Sequence, residues 1–256
     1  MNDAPVRDAD YLSNFNDDFP EKVEARYFWY VGRSIIIQKC LALAKKSLPP
    51  VTRVIEIGCG TGKMLQTLQK LFTKAIGYDR YEPAIATCKK NGLTAAYLKE
   101  DTSLPEASVS VDLICGFDVF EHIEDDQAMF KECSRVLKTG AFLLLTVPAK
   151  MKLWSPVDTY DRHFRRYEKD ELIQKVRQAG FEPVLVSYFI FLLYPLFRIN
   201  RLYLKWRGRP PENIFSINPV LNGFLTIIIR IEAFLFGKIP FPTGSSLICL
   251  AQKAAG

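Results

Sequence analysis

Two kinds of apolar run alternate along most of the chain. Positions 51–57, 74–78, 111–117, 141–147 and 181–187 are short and nearly continuous in apolar residues, with 95–98 a weaker case. Between them, 63–72, 82–91, 125–137 and 169–178 carry apolar residues three and four apart. The first kind predicts strands buried on both faces, and the second amphipathic helices. Gly92 and Thr139-Gly140 mark two helix ends. This alternation predicts a doubly wound α/β domain around a parallel sheet. A helix over 21–47, stopped at Pro49-Pro50, precedes it, and 1–20 reads as a mobile arm. A closing strand is predicted over 246–252.

The texture changes between 188 and 242. The apolar runs 184–197 and 224–236 are shorter than the roughly 20 residues that span a bilayer. Pro195, Arg230 and Glu232 also interrupt them. Between the runs lie Arg198, Arg201, Lys205, Arg207 and Arg209, with Tyr203 and Trp206 interleaved, and no acid occurs from Pro183 to Pro211. Basic residues beside interfacial aromatics suit a peripheral contact with anionic lipid. An inserted lid over a small substrate would show the same composition. Nucleic acid would use the charge but not the aliphatic surface, so it is not expected as a partner. The expected organisation is an arm and helical cap over 1–49, a core over 50–187, an insertion over 188–245 and the last strand over 246–256.

Composition changes this picture little. A chain of 256 residues, 48% hydrophobic and 24% charged, can bury a sizeable globular core. The net charge of +6 is mild. The six cysteines are scattered, with no Cys-x-x-Cys pair, and there are only two histidines. These counts predict reduced, buried thiols and no metal site. The N-terminus is acidic and lacks an apolar stretch, so it does not read as a secretory signal, and a cytoplasmic location is expected.

The candidate chemistry sits where the first strand meets the first core helix. Gly58, Gly60 and Gly62 are spaced Gly-x-Gly-x-Gly, which suits a tight turn and close approach of a ligand to the backbone. A dinucleotide fingerprint would place a glycine at 63, where Lys63 stands. Asp79 follows the next strand, where a carboxylate can accept both hydroxyls of a ribose.

With these residues the chain resembles the class I S-adenosylmethionine-dependent methyltransferases. Glu56 to Gly62 resembles their first motif, and Asp79 their ribose-binding acid. The Lys99-Glu100-Asp101-Thr102 turn is similar to their adenine-contacting turn, and the stretch from Asp112 through Phe117 to Ile123 resembles their fourth-strand motif. Arg135 to Ala141 is similar to their helix-turn into strand five. The resemblance implies a Rossmann-like seven-stranded sheet with an antiparallel last strand, S-adenosylmethionine as cofactor and S-adenosylhomocysteine as product. Two further stretches, 24–33 and 147–167, resemble a narrower group related to quinone-biosynthesis and other small-molecule methyltransferases.

By that resemblance Glu56, Gly58, Cys59, Gly60, Gly62, Asp79, Arg80, Asp101, Thr102, Phe117, Arg33 and His122 would hold the cofactor. Trp29, Trp154, Asp158, Arg166 and Tyr167 would face the substrate, and His163 would take a proton from it. Structural readings stand beside these. His122 would equally serve as a loop histidine bonded to backbone, and His163 as a bridge to Asp158 or Asp161. Arg165, Arg166 and Tyr167 suit an anion clamp or a solvated helix entry with Glu168 and Asp170 as partners. Trp29 would also fit a packed amphipathic helix. The expected activity is O-methylation of a lipophilic small molecule, a quinone precursor or lipid-linked acceptor, at the inner face of a membrane. A soluble natural-product or sugar methyltransferase, an NAD-dependent oxidoreductase and a non-catalytic membrane adaptor are the alternatives.

Overall fold

A computed structural model describes residues 23, 26–98, 102–210 and 217–254. The arm over 1–20, the first turn of the expected cap helix and Asp101 lie outside the described residues. The remaining chain forms a seven-stranded sheet with helices on its faces, as the alternation predicts. The elements in chain order are α1 (Phe28–Lys45), β1 (Arg53–Ile57), α2 (Lys63–Leu71), β2 (Lys74–Asp79), α3 (Glu82–Lys90), β3 (Ala95–Tyr97) and β4 (Val111–Phe117). They continue with α4 (Asp126–Val136), β5 (Leu137–Pro148), α5 (Pro156–Tyr160), α6 (Lys169–Gln178), β6 (Phe181–Phe189), α7 (Tyr194–Arg207), α8 (Pro219–Leu235) and β7 (Ser246–Lys253).

The strand order is β3-β2-β1-β4-β5-β7-β6. β1 pairs in parallel with both β2 and β4, while β7 runs antiparallel between β5 and β6. The order reverses at β1 and β4, so a crevice opens beyond their carboxyl ends. Every residue of β4 is buried, which is why that stretch has no polar alternation. β5 begins four residues before the expected start at 141. Leu137 pairs with Val111 ahead of a register shift, and Gly140 takes φ +77°. That geometry turns the expected helix-ending loop into extended chain.

Among the described residues, the insertion forms two helices, α7 and α8. The run 184–197 divides among the end of β6, a turn and the start of α7, because Ile190 sits at φ +56° and Pro195 opens the helix. Asn218 caps α8, accepting from Val220 and Leu221 N–H groups, with Pro219 in its first turn. α8 lies along α1. Asn222 Oδ1 accepts the Phe28 N–H at 3.0 Å, and its amide donates to the Arg26 carbonyl at 2.8 Å. Lys39 donates to the Ala233 carbonyl. Gly32 makes this approach possible, since a Cβ there would lie 1.8 Å from Ile229 Cγ2. Gly32→Val is expected to cost about 2 kcal/mol or more by overpacking. Urea unfolding of the variant checks this, and an unchanged midpoint would contradict the α1–α8 contact.

Glu232 on α8 is fully buried, and the Ile190, Phe191 and Leu192 N–H groups turn toward it, the last at 2.9 Å. Burial raises its pKa above the ordinary value and these N–H groups offset that only in part. An acid with a raised folded pKa loses stability as pH climbs from its unfolded value of about 4.3 toward the folded one. The melting temperature of Glu232→Gln relative to wild type is therefore expected to improve from pH 4 to pH 8. A difference that shrinks with rising pH would refute the assignment.

Candidate active site

A cavity of about 470 Å³ occupies the crevice beyond β1, β2 and β4. Its floor is the loop after β1. Gly58, Gly60 and Gly62 all take positive φ, at +66°, +52° and +94°. A Cβ on Gly58 would lie 2.3 Å from Val119 Cγ2, whereas one on Gly60 would meet nothing and point into open space. Asp79, at the end of β2, fixes this loop. Its Oδ2 accepts the Gly60 N–H at 2.8 Å and its Oδ1 accepts the Tyr81 N–H at 2.8 Å. Burial raises the Asp79 pKa, opposed by the N–H groups of Tyr81, Gly60 and Arg80.

Glu56, Cys59 and Arg80 also line this cavity, and Trp29, Tyr30 and Arg33 of α1 roof it. Arg33 anchors the roof to the end of β4. Its Nη2 donates to the Phe117 carbonyl at 2.7 Å and its Nε pairs with Asp118. The guanidinium lies 5.4 Å from the Trp29 ring centre and 5.8 Å from that of Phe117. Trp29 is thus both packed and cavity-lining. Asp118 was not among the expected site residues. Its φ of +57° and the Thr146 hydroxyl at 3.2 Å turn its carboxylate toward Arg33. An acid directly after a buried strand was its only sequence signal.

His122 lines the opposite side, within a short 3-10 turn over Phe120–His122. Burial, then the neighbouring His163, lowers its pKa to about 4, against a hydrogen bond with the Asp161 backbone. The ring is therefore neutral at physiological pH. Gly62 shapes α2 as its N-cap but does not line the cavity, and Thr102 does not reach it.

The residues expected to face a substrate behave differently. Asp158 is fully buried and holds a polar cluster together. It accepts Arg166 Nε at 2.6 Å and the Ser155 N–H at 2.9 Å, and lies 3.6 Å from Arg201. Burial alone would raise this carboxyl. His163, Arg166 and Arg201 outweigh it and hold the group well below the ordinary range. Arg166 also donates to the Ala149 carbonyl, and Arg165 to the Ile123 and Glu124 carbonyls. Tyr167 has no exposed surface and donates to Asp126 at 2.7 Å. The anion clamp over Arg165, Arg166 and Tyr167 is thus corrected. These side chains are spent on internal partners, and those partners are Asp126 and Asp158 rather than Glu168 and Asp170. Trp154 is half-buried and lies outside the cavity wall.

His163 does not line this cavity. Its Nδ1 lies 3.1 Å from Asp158 Oδ1, and its ring packs edge-on against His122, which does line the cavity. Arg201 likewise leaves the expected surface patch. It donates to Ser155 Oγ at 2.6 Å and locks α7 onto the segment after β5. Burial, then Arg166, lowers its pKa to about 10. Among the described residues, the insertion supplies none of the cavity lining.

This geometry agrees with known proteins. A protein of Mycolicibacterium smegmatis named as a probable S-adenosylmethionine-dependent methyltransferase is 31% identical over 137 residues, 50% of this chain and 51% of its own. A ubiquinone biosynthesis O-methyltransferase of Dinoroseobacter shibae is 29% identical over 152 residues, 52% of this chain and 60% of its own. The chain thus spans about half to three-fifths of these relatives. Among solved structures, a Thermotoga maritima S-adenosylmethionine-dependent methyltransferase superposes with a TM-score of 0.58 at 17% identity, covering 95% of this chain and 98% of that one. The methyltransferase solved with the Haloferax volcanii Trm112 activator gives 0.62 at 14% identity, covering 99% and 100%. Both show a shared fold. The family model for the methyltransferase domain matches residues 28–186, from the roof helix into β6, and the chain belongs to that family.

Proposed function

We propose that this protein is an S-adenosylmethionine-dependent methyltransferase that O-methylates a lipophilic small molecule. The observation that carries this reading is the cavity itself. An open glycine loop lies beneath it, the Asp79 carboxylate stands at the β2 end, and His122 faces it from the other side. The Gly58–Gly60 backbone and Asp79 fit the nucleoside part of the cofactor, with Asp79 accepting ribose hydroxyls. Arg33 and Trp29 close the cavity from above. S-adenosylmethionine held by the Gly58–Gly60 backbone and Asp79 would supply an activated methyl group, with S-adenosylhomocysteine and the acceptor hydroxyl's proton as the other products. The chain's part is to align the acceptor and exclude water.

Support for a lipophilic acceptor comes from the insertion and from the ubiquinone-type relatives. Val220, Phe224, Ile227, Ile231 and Phe234 form one exposed stripe along α8, with Val220 81% exposed. On α7, Ile199, Leu202 and Trp206 are exposed, Trp206 at 84%, beside Arg198 and Lys205. No helix among the described residues is long and apolar enough to cross a membrane. Such faces suit peripheral contact with a bilayer surface that holds the acceptor. Wild-type protein is expected to co-sediment with vesicles containing anionic lipid. Trp206→Ala combined with Phe224→Ser and Ile231→Ser is expected to lose this by about tenfold or more, each buried CH2 being worth about 0.8 kcal/mol. Equal sedimentation of the two proteins would end the membrane reading.

Methyl-labelled S-adenosylmethionine incubated with the protein and fractionated cell extract tests the activity. Label in the organic-soluble fraction is expected. Label confined to polar metabolites would replace the lipophilic acceptor with a sugar or other soluble one. No transfer to any fraction would leave a cofactor-binding adaptor.

A further inference from the structure

The chain has two histidines, and the fold brings both to one place. Their ring centres are 4.7 Å apart although 41 positions separate them in sequence (163 − 122). The Phe164 N–H donates to the Glu121 carbonyl at 2.7 Å, and the His163 N–H donates to the Asp158 carbonyl at 2.9 Å, which pins the later loop beside the 3-10 turn. Glu121 completes the group. One ligand atom from each of Glu121, His122 and His163 lies within 4.8 Å of the others.

We propose that Glu121, His122 and His163 bind a divalent first-row metal ion whose remaining coordination positions face the cavity. Three observations point there independently. The first is Glu121. Its side chain is 1% exposed, and Oε2 has no hydrogen-bond partner. A buried carboxylate oxygen left in that state needs a cation or a proton. The second is the orientation of the imidazoles. His163 Nδ1 is held by Asp158 at 3.1 Å, which leaves Nε2 for a ligand, and His122 is fixed through the Asp161 backbone. A carboxylate or carbonyl on the far ring nitrogen is the usual support of a metal-binding histidine. The third is position. His122 lines the cavity, so an ion at its ring lies at the cavity wall.

Two imidazoles and one carboxylate with open positions suit zinc, manganese or iron(II) rather than magnesium or calcium, which take mainly oxygen. Bonds of about 2.1 Å in tetrahedral geometry set ligand atoms about 3.4 Å apart, so the three side chains need only a small closure. An acceptor hydroxyl bound at an open position would be held beside the methyl donor with its acidity raised. That role rests on the methyltransferase reading, whereas the binding site itself does not. The expectation of no metal site followed from the scarcity of histidine, and the fold spends both histidines on this one cluster.

The test is equilibrium dialysis of chelator-stripped full-length protein against zinc chloride and, separately, manganese chloride, with metal content read by mass spectrometry. One ion per chain is expected for at least one of the two metals. His122→Ala and His163→Ala are each expected to weaken metal binding by about tenfold or more with circular dichroism retained, and His163→Ala, at a residue that does not line the cavity, is expected to keep its S-adenosylmethionine affinity as well. Glu121→Gln, which keeps the shape of the side chain, is expected to do the same. Failure of both metals to bind stoichiometrically would overturn the proposal, as would binding that survives in the His122→Ala/His163→Ala double variant. Cofactor binding without metal would sink this inference and leave the methyltransferase reading intact. Metal binding without methyl transfer would do the reverse.

Discussion

Asp79→Ala is expected to weaken S-adenosylmethionine binding by about two orders of magnitude. Hydrogen bonds to a charged group contribute about 1.5–3 kcal/mol each, and two ribose hydroxyls on one carboxylate give at least about 3 kcal/mol. A second effect acts in the same direction. Asp79 also accepts the Gly60 and Tyr81 N–H groups, so its loss leaves both donors unpaired and loosens the loop at φ +52°. Asp79→Asn separates the two contributions. It retains one carbonyl oxygen for the loop but removes the charge and half of the acceptor capacity, so its effect should fall between wild type and alanine. Isothermal titration with S-adenosylmethionine is the measurement. Wild-type affinity in the alanine variant would mean that the cofactor lies elsewhere in the crevice.

The second large effect is on stability. Asp158→Ala is expected to destabilise the fold by about 3–5 kcal/mol, because it leaves Arg166 and Arg201 buried without their common counter-charge. Three elements meet at this carboxylate: the N-terminus of α5 through Ser155, the segment leading to α6 through Arg166, and α7 through Arg201. The loss should therefore appear in urea unfolding as a lower midpoint and in proteolysis as cleavage between β6 and β7. In the wild type the sign of the pH dependence is fixed by the depressed Asp158 pKa. Its contribution is fully present above the unfolded carboxylate value of about 3.9, and it is lost as pH falls from there through the folded value. A double-mutant cycle with Arg201→Ala isolates one arm of the cluster. A coupling energy near zero would show that α7 is held by its apolar contacts alone.

The apolar pattern made most of the sheet legible before any coordinates. Strands buried on both faces leave a continuous apolar run, and the crossover helices leave a period near 3.6. β4, α2 and α6 follow that pattern closely. The glycine loop and Asp79 were legible for a related reason. Positive φ requires glycine at specific positions, and the acid must sit at a strand end, so local spacing carries the information. The longer β5 was not legible, because Lys138-Thr139-Gly140 has the chemistry of a helix stop and is held extended by pairing with β4 and by Gln252 on the Gly140 carbonyl.

Residues after β5 show where local reading ends. Asp158, His163, Arg166 and Tyr167 are polar, close together and beyond a core strand, which is the signature of a substrate-facing loop. Their partners are Asp126, Ser155 and Arg201, and the first and last of these are distant in sequence. Whether a polar side chain faces solvent, a ligand or another buried charge depends on what packs against it, and the chain alone does not specify that. Arg201 is the clearest instance. In sequence it belongs to a row of surface bases, and in the fold it is the one aimed inward at Ser155 and Asp158.

The sequence by itself determined the sheet, the parallel β1–β4 core and the glycine loop, because each depends on local periodicity or on a backbone angle that one residue type permits. Only the tertiary structure decided that α8 packs along α1 and leaves an apolar stripe outward, that Asp158 is a buried hub, and that the two histidines meet beside Glu121. Those outcomes depend on contacts between segments far apart in the chain, where packing and desolvation rather than local propensity set which side chains come together.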